Sequence, residues 1–319
     1  MIDCDRDGSG WSTAGCKLNL FLHINGRRPD GYHELQTYFQ LLAYGDLVHL
    51  ETSGSGRIRI SWESGDEGIS GQPERQEDDL LHRAATLLRD AAIEAGRLSS
   101  SADEQPGVDI TLRKNVPVGG GLGGGSASAA CVLNRLNRLW QVDFPAQRLE
   151  ALATRLGADV PVFVRARSAM AHGIGERLLP AELAEPVRYW LVLVPNMPAH
   201  TASLYAAPAL ARDTPKGDDE ALLAGWREAH NAFEPVVLDR SPALAALRDD
   251  LAESAGFARL TGSGACLFAP VASSRQGARI GTELSKRHPL LRRFFVSAAA
   301  SATNQPVNAT GRVQGKKSG

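Results

Sequence analysis

Six of the seven residues 119–125 are glycine, Leu122 being the exception, with Pro117 just ahead and Ser126 just behind. Residues 108–112 alternate apolar and polar side chains as a short strand does. From about residue 127, Val132, Leu136 and Trp140 recur at helical spacing. The order is therefore strand, glycine loop, helix N-terminus. Glycine adopts left-handed backbone and admits close approach of a neighbour. Successive N–H groups in such a loop can line an anion-binding hollow, and the helix N-terminus adds unpaired donors and partial positive charge. The stretch reads as a phosphate site formed by Pro117, Gly119, Gly120, Gly121, Leu122, Gly123, Gly124, Gly125 and Ser126. Ser126 and Ser128 offer hydroxyls at its mouth for a phosphate oxygen or a Mg2+ shell. The alternative is a flexible linker, which would not usually join a strand to a well-patterned helix.

Several phosphate-binding classes are excluded by their own requirements. No Lys follows the loop, so it is not a Walker A site. A dinucleotide fingerprint belongs at the first strand–helix turn, whereas this loop comes after several elements. The VAIK and HRD elements of protein kinases are absent.

Around this loop the 319 residues divide into two expected halves. Residues 17–24 alternate, with Lys17, Asn19 and Phe21 on one face and Leu18, Leu20 and Leu22 on the other. A polar turn follows, then a second apolar stretch over 35–50. Residues 80–92 carry apolar pairs at helical spacing, with Asp78 or Asp79 as N-cap. In the second half, YWLVLV reads as a buried strand. Helical stretches are expected over 220–231, 242–255 and 276–288, and a last strand over 294–298. Strands and helices mix without strict alternation, which indicates an α+β fold. Residues 1–11 read as a loose leader and 301–319 as a disordered tail.

Composition narrows the partners. With 35 basic against 36 acidic side chains the net charge is -1, which argues against a broad basic surface for nucleic acid. No apolar run approaches a membrane span and no signal peptide is visible. The four cysteines form no CxxC pair. His172, His200 and His230 lack metal-ligand spacing, so no protein-held metal is expected. The default is a soluble cytoplasmic protein.

The stretch PVGGGLGGGSASAA resembles the phosphate loop of the GHMP kinase superfamily. Three further stretches extend the resemblance from about residue 12 to 298: AGCKLNLFLHINGRRPDGYHELQT, LGADVPVF and RLTGSGACLFA. Within the superfamily they resemble the branch that acts on a cytidine-diphosphate ester of methylerythritol. The resemblance implies a two-domain α+β fold. Its N-terminal part (1–168) would resemble ribosomal protein S5 domain 2, and its C-terminal part (169–300) would be ferredoxin-like. It also implies ATP as phosphoryl donor, Mg2+ accompanying it, and transfer to the 2-hydroxyl of the cytidyl substrate.

The same resemblance assigns roles to residues with blander readings of their own. Asp159, ahead of Pro161, reads alone as a helix N-cap; the resemblance makes it the catalytic aspartate. Lys17 alone reads as a solvated side chain on a strand, and the resemblance makes it the electrostatic partner of Asp159. Asn19, on the same face, would bind substrate. Tyr32 and His33 follow a Pro-Asp-Gly turn and would hold the cytosine, with Tyr205 as a second stacking ring and Thr201 as a substrate contact. Gly262, Ser263 and Gly264 would face the site from the C-terminal half. Two positions depart from the family pattern: Asp79 stands where an adenine-contacting Asn is common, and Ser126-Ala127-Ser128 replaces a more polar junction. Two other readings compete. One is a superfamily kinase for another small alcohol. The other is a nucleotide-binding or RNA-binding module without catalysis.

Overall fold

The computed structural model describes residues 10–67, 72–197 and 201–300, with the backbone alone at 201 and 202. The leader reading for 1–9 and the tail reading for 301–319 lie outside the described residues. The first half runs β1 (Trp11–Arg27), β2 (His33–Ser53), β3 (Ile58–Glu63), α1 (Leu80–Glu94), β4 (Gly107–Arg113), α2 (Gly124–Leu139), α3 (Ala146–Leu156), α4 (Val160–Arg165), β5 (Ala169–Gly173) and β6 (Arg177–Pro180). The second half runs β7 (Tyr189–Pro195), α5 (Thr201–Tyr205), α6 (Asp219–Ala224), α7 (Glu234–Asp239), α8 (Pro242–Ala255), β8 (Arg259–Leu260), β9 (Leu267–Val271), α9 (Ser274–Arg287) and β10 (Leu291–Ala298).

Six strands form the first sheet, in the order β3-β4-β2-β5-β6 with β1 paired to β2. All its pairs are antiparallel except β3 with β4, which α1 connects. The second sheet is β10-β7-β9-β8, antiparallel throughout. Its strand order with intervening helices α8 and α9 is the ferredoxin-like βαββαβ arrangement. Because β5 and β6 belong to the first sheet, the chain passes between sheets after Pro180, not at residue 168.

Three apolar clusters hold these layers. One lies between the first sheet and α1–α4, and another between the second sheet and α8 and α9. The third takes Leu18, Leu20 and Phe21 from β1 together with Trp190, Val192 and Phe268 from the second sheet. β1 is thus covered on both faces, so Lys17 does not lie on the solvated face that its residue type alone would suggest. Lys17 is 3% exposed. β1 also departs from strict alternation, with register shifts at Gly15/Cys16, Asn19/Leu22 and Ile24/Gly26.

Asp79 caps α1, accepting from the Leu81 N–H at 2.8 Å, while its other oxygen accepts from the Trp62 indole at 2.9 Å. Both oxygens are therefore used inside the protein, and Asp79 acts as a cap and strand tie. The helix expected over 220–231 is shorter: α6 closes at Gly225. The chain then turns, so that Leu22 N–H donates to the His230 carbonyl and Ala232 N–H to the Leu22 carbonyl.

Candidate active site

The glycine run is a set of left-handed residues alternating with others. Gly119, Gly121 and Gly123 have φ of 72°, 79° and 69°. Gly123 is the N-cap of α2, which begins inside the glycine run at Gly124 and not near residue 127. No side chain caps this end, so the first N–H groups of α2 remain available to a ligand. The loop has an inner and an outer side. Pro117, Gly120 and Leu122 are buried; Gly119 and Gly125 are exposed and Ser126 is half-buried. A Cβ on Gly125 would meet nothing within 4 Å, which leaves the outer side open.

The inner side explains the other glycines. A Cβ on Gly121 would lie 2.1 Å from the Thr261 carbonyl oxygen, and one on Gly262 would lie 2.9 Å from Gly121 Cα. The phosphate-type loop and the Gly262-Ser263-Gly264 turn are thus in backbone contact across the two halves. Gly262 and Gly264 both have positive φ, 57° and 87°. Asn231 holds this second turn by donating to the carbonyls of Leu260 and Gly262 at 2.8 and 2.9 Å.

A buried carboxylate that sequence reasoning missed anchors the loop. Asp46 of β2 accepts from Lys114 Nζ at 2.6 Å, from the Asn115 and Val116 N–H groups at 2.8 Å each, and from Ser128 Oγ at 3.0 Å. It therefore ties the segment entering the loop to the second turn of α2. Ser128 points inward to this carboxylate, so of the two hydroxyls expected at the mouth only Ser126 stands there. An ionisable Asp within an apolar stretch was the one signal that could have drawn attention to it, but its partners are far off in sequence.

Next to the loop lies the charged pair. Lys17 Nζ is 3.5 Å from Asp159 Oδ2, and the Lys17 N–H donates to the Leu122 carbonyl at 2.9 Å. Asp159 occupies the N-cap position of α4 but makes no capping hydrogen bond, and its side chain is 33% exposed. Asn19 accepts from Lys17 through Oδ1 and donates through Nδ2 to Thr37 Oγ1 at 2.9 Å. Its amide is bonded at both ends within the protein, although substrate contact was expected of it.

A cleft of about 690 Å³ reaches the chain next to Asp159, lined by Arg27, Tyr32, His33, Ala158, Tyr205 and Arg212 among others. Ala158 directly precedes Asp159 in the chain. The turn before β2 is held by Asp30, which accepts from the Tyr32 N–H at 3.1 Å. Tyr205 stacks on His33, with ring centroids 4.8 Å apart, while Tyr32 stands at the rim, 60% exposed. Burial, with the nearby Arg212 and Arg27, lowers the His33 pKa and favours its neutral form. Burial, with the charge on Asp159, pushes the Tyr205 phenol up to about 12. Asp159 thus lies within electrostatic reach of both the Lys17 ammonium and the aromatic cleft. Thr201 opens α5, and its side chain lies outside the described residues. Among the described residues no three His, Cys, Asp or Glu side chains cluster as a metal site.

Comparison with known proteins agrees with this geometry. Residues 79–167 match the GHMP kinases N terminal domain and residues 206–290 the GHMP kinases C terminal model. A protein of Thiobacillus denitrificans named 4-diphosphocytidyl-2-C-methyl-D-erythritol kinase is 48% identical over 260 residues, covering 82% of this chain and 86% of that one. The chain belongs to the 4-diphosphocytidyl-2-C-methyl-D-erythritol kinase family. A Pseudomonas aeruginosa protein of the same name is 44% identical over 257 residues, with 80% of this chain and 83% of that one covered. A crystal structure of 4-(cytidine 5'-diphospho)-2C-methyl-D-erythritol kinase superposes with a TM-score of 0.72 at 30% identity, over 92% of this chain and all of the other. Homoserine kinase from Cytophaga hutchinsonii, at TM-score 0.62 and 18% identity over 82% of this chain and 89% of that one, shares the fold. As a member of this family the protein is a phosphotransferase that uses ATP and acts on a small molecule. No helix among the described residues is long and apolar enough to cross a membrane.

Proposed function

We propose that the protein transfers the γ-phosphoryl group of ATP to the 2-hydroxyl of 4-diphosphocytidyl-2-C-methyl-D-erythritol, giving the 2-phosphate and ADP in the non-mevalonate route to isoprenoid precursors. The observation that carries this reading is the position of Asp159, which reaches Lys17 beside the glycine loop and neighbours the His33–Tyr205 cleft. The outer face of the loop and the α2 N-terminus, with Ser126, would hold the ATP phosphates. Mg2+ would enter with ATP, held mainly by phosphate oxygens and water, and the hydroxyl and carboxylate oxygens of Ser126 and Asp159 suit such a hard cation. Tyr32, His33 and Tyr205 would hold the cytosine, with Thr201 and the Gly262–Gly264 turn toward the rest of the substrate.

In the transfer itself, the 2-hydroxyl oxygen forms a bond to the γ-phosphorus as the bond to the β,γ-bridging oxygen breaks, and ADP departs. Asp159 accepts the hydroxyl proton, and the Lys17 ammonium stabilises the negative charge that develops on the oxygen. The work divides between a first part carrying ATP and the Lys17–Asp159 pair and a second part closing on the substrate. Cys16 and Cys266 are buried free thiols, in keeping with a reducing compartment such as the cytoplasm.

ADP release should be measured with the cytidyl substrate, mevalonate and homoserine as alternative acceptors. The reading predicts ADP formation with the first at a rate far above the other two. ADP formation with mevalonate or homoserine alone would overturn it.

A further inference from the structure

Lys17 is polarised by a chain of hydrogen bonds whose direction is set by a backbone carbonyl. The chain starts at the β1 bulge. Asn19 pairs with Phe39 and Leu22 with Thr37, so Leu20 and Phe21 together face the single residue Tyr38. The bulge takes the Leu20 and Phe21 carbonyls out of the regular ladder. Arg259 donates to the Leu20 carbonyl, and the Thr37 hydroxyl donates to the Phe21 carbonyl. A carbonyl can only accept, so Thr37 must spend its one proton there. Its oxygen is then left to accept, and it does so from Asn19 Nδ2. The Asn19 amide is thereby oriented with Oδ1 toward Lys17 Nζ, from which it accepts. The opposite orientation would set two donors against each other at Lys17 and two acceptors against each other at Thr37.

We propose that Thr37 is a positioning residue for phosphoryl transfer: its hydroxyl fixes the polarity of the Asn19 amide and, through it, the placement of the Lys17 ammonium beside Asp159. This rests on the Lys17–Asp159 reading above. Thr37 touches neither charged group of the pair and is wholly buried, as is Asn19, so its effect is transmitted through the amide. Lys17 is also bounded by the Phe39 ring of β2, 5.3 Å from the ammonium to its centroid, and by Gly123, where a Cβ would lie 3.3 Å from Lys17 Cε. Those contacts confine the side chain, but only the Asn19 carbonyl and Asp159 offer it oxygen acceptors in the bonds described.

Thr37→Val keeps the branched shape and removes the hydroxyl, whereas Thr37→Ser keeps the hydroxyl. The expected result is a kcat lower by about tenfold or more in Thr37→Val, with KM for ATP within about threefold of the parent. Thr37→Ser should recover kcat to within about threefold. The Asn19 side-chain amide resonances, followed by NMR in the full chain, should lose their hydrogen-bonded shift in Thr37→Val and keep it in Thr37→Ser. A parental kcat in Thr37→Val, no recovery in Thr37→Ser, or an unchanged amide signal in Thr37→Val would each overturn the proposal. The NMR comparison needs no turnover, so it tests the chain even if the parent fails to phosphorylate the cytidyl substrate. That failure would count against the functional reading alone.

Discussion

A buried ammonium has to be compensated on every side, because removal from water costs several kcal/mol per ion. Lys17 meets this with a carboxylate, an amide oxygen and an aromatic face. Asp159 keeps part of its side chain in solvent and spends nothing on capping its helix, which leaves a carboxylate free to meet an acceptor hydroxyl. His23 shows the opposite case. It is buried, stacked on His230 at 4.3 Å, and neither ring nitrogen has a hydrogen-bond partner. Burial, with His230 and Arg259, lowers its pKa from 6.5 to about 4. The unfolded chain therefore binds the proton more readily than the folded one. Its share of stability is complete above pH 6.5 and is lost as pH falls toward 4. The loss is on the order of 3 kcal/mol at most. Urea unfolding at pH 8 and pH 5 should show the parent losing more stability than His23→Phe; equal losses would contradict the assignment.

Among the elements, the glycine loop was legible because its composition has few uses, and its strand–loop–helix setting held. The α1 cap, α8 and the strand over YWLVLV were legible from local patterns of the same kind, whereas the ferredoxin-like arrangement came from the family resemblance. What holds the loop in place was not legible. Asp46 is tied to Lys114, which lies 68 positions further on, and to Ser128, which lies 82 further on, and nothing local announces either bond. Alternation alone could not show that Lys17 is buried, for a related reason: it describes one strand, but burial on both faces depends on the second sheet arriving over β1. Asp46→Asn keeps the shape and removes the charge, leaving Lys114 buried without a counter-ion and setting an amide N–H2 against donors. Its expected cost is about 3–5 kcal/mol. Because the loop entry and α2 lose their common anchor, KM for ATP should rise by about tenfold or more. Chemical denaturation and ATP titration of kcat check the two effects; a variant with parental stability and KM would remove Asp46 from the loop's support.

On the scale of the whole molecule, the site lies where the two sheets share a core. Leu122 of the loop packs in the cluster that also contains Trp190 and Phe268, and Gly121 touches Thr261 and Gly262 across the same seam. The two-domain α+β organisation followed from the family resemblance. The passage between sheets could not be placed, because β5 returns to the first sheet by pairing along β2 and β6 pairs with β5, and strand partners are set by tertiary structure. The seam brings the glycine loop, the Lys17–Asp159 pair and an aromatic cleft close to one another. Single-turnover phosphoryl transfer to the cytidyl substrate by the Asp159→Asn variant bears most directly on what that site does. The expected result is a transfer rate lower by about 10²–10⁴, with ATP affinity within about threefold of the parent. Transfer at close to the parental rate would show that Asp159 does not carry the proton.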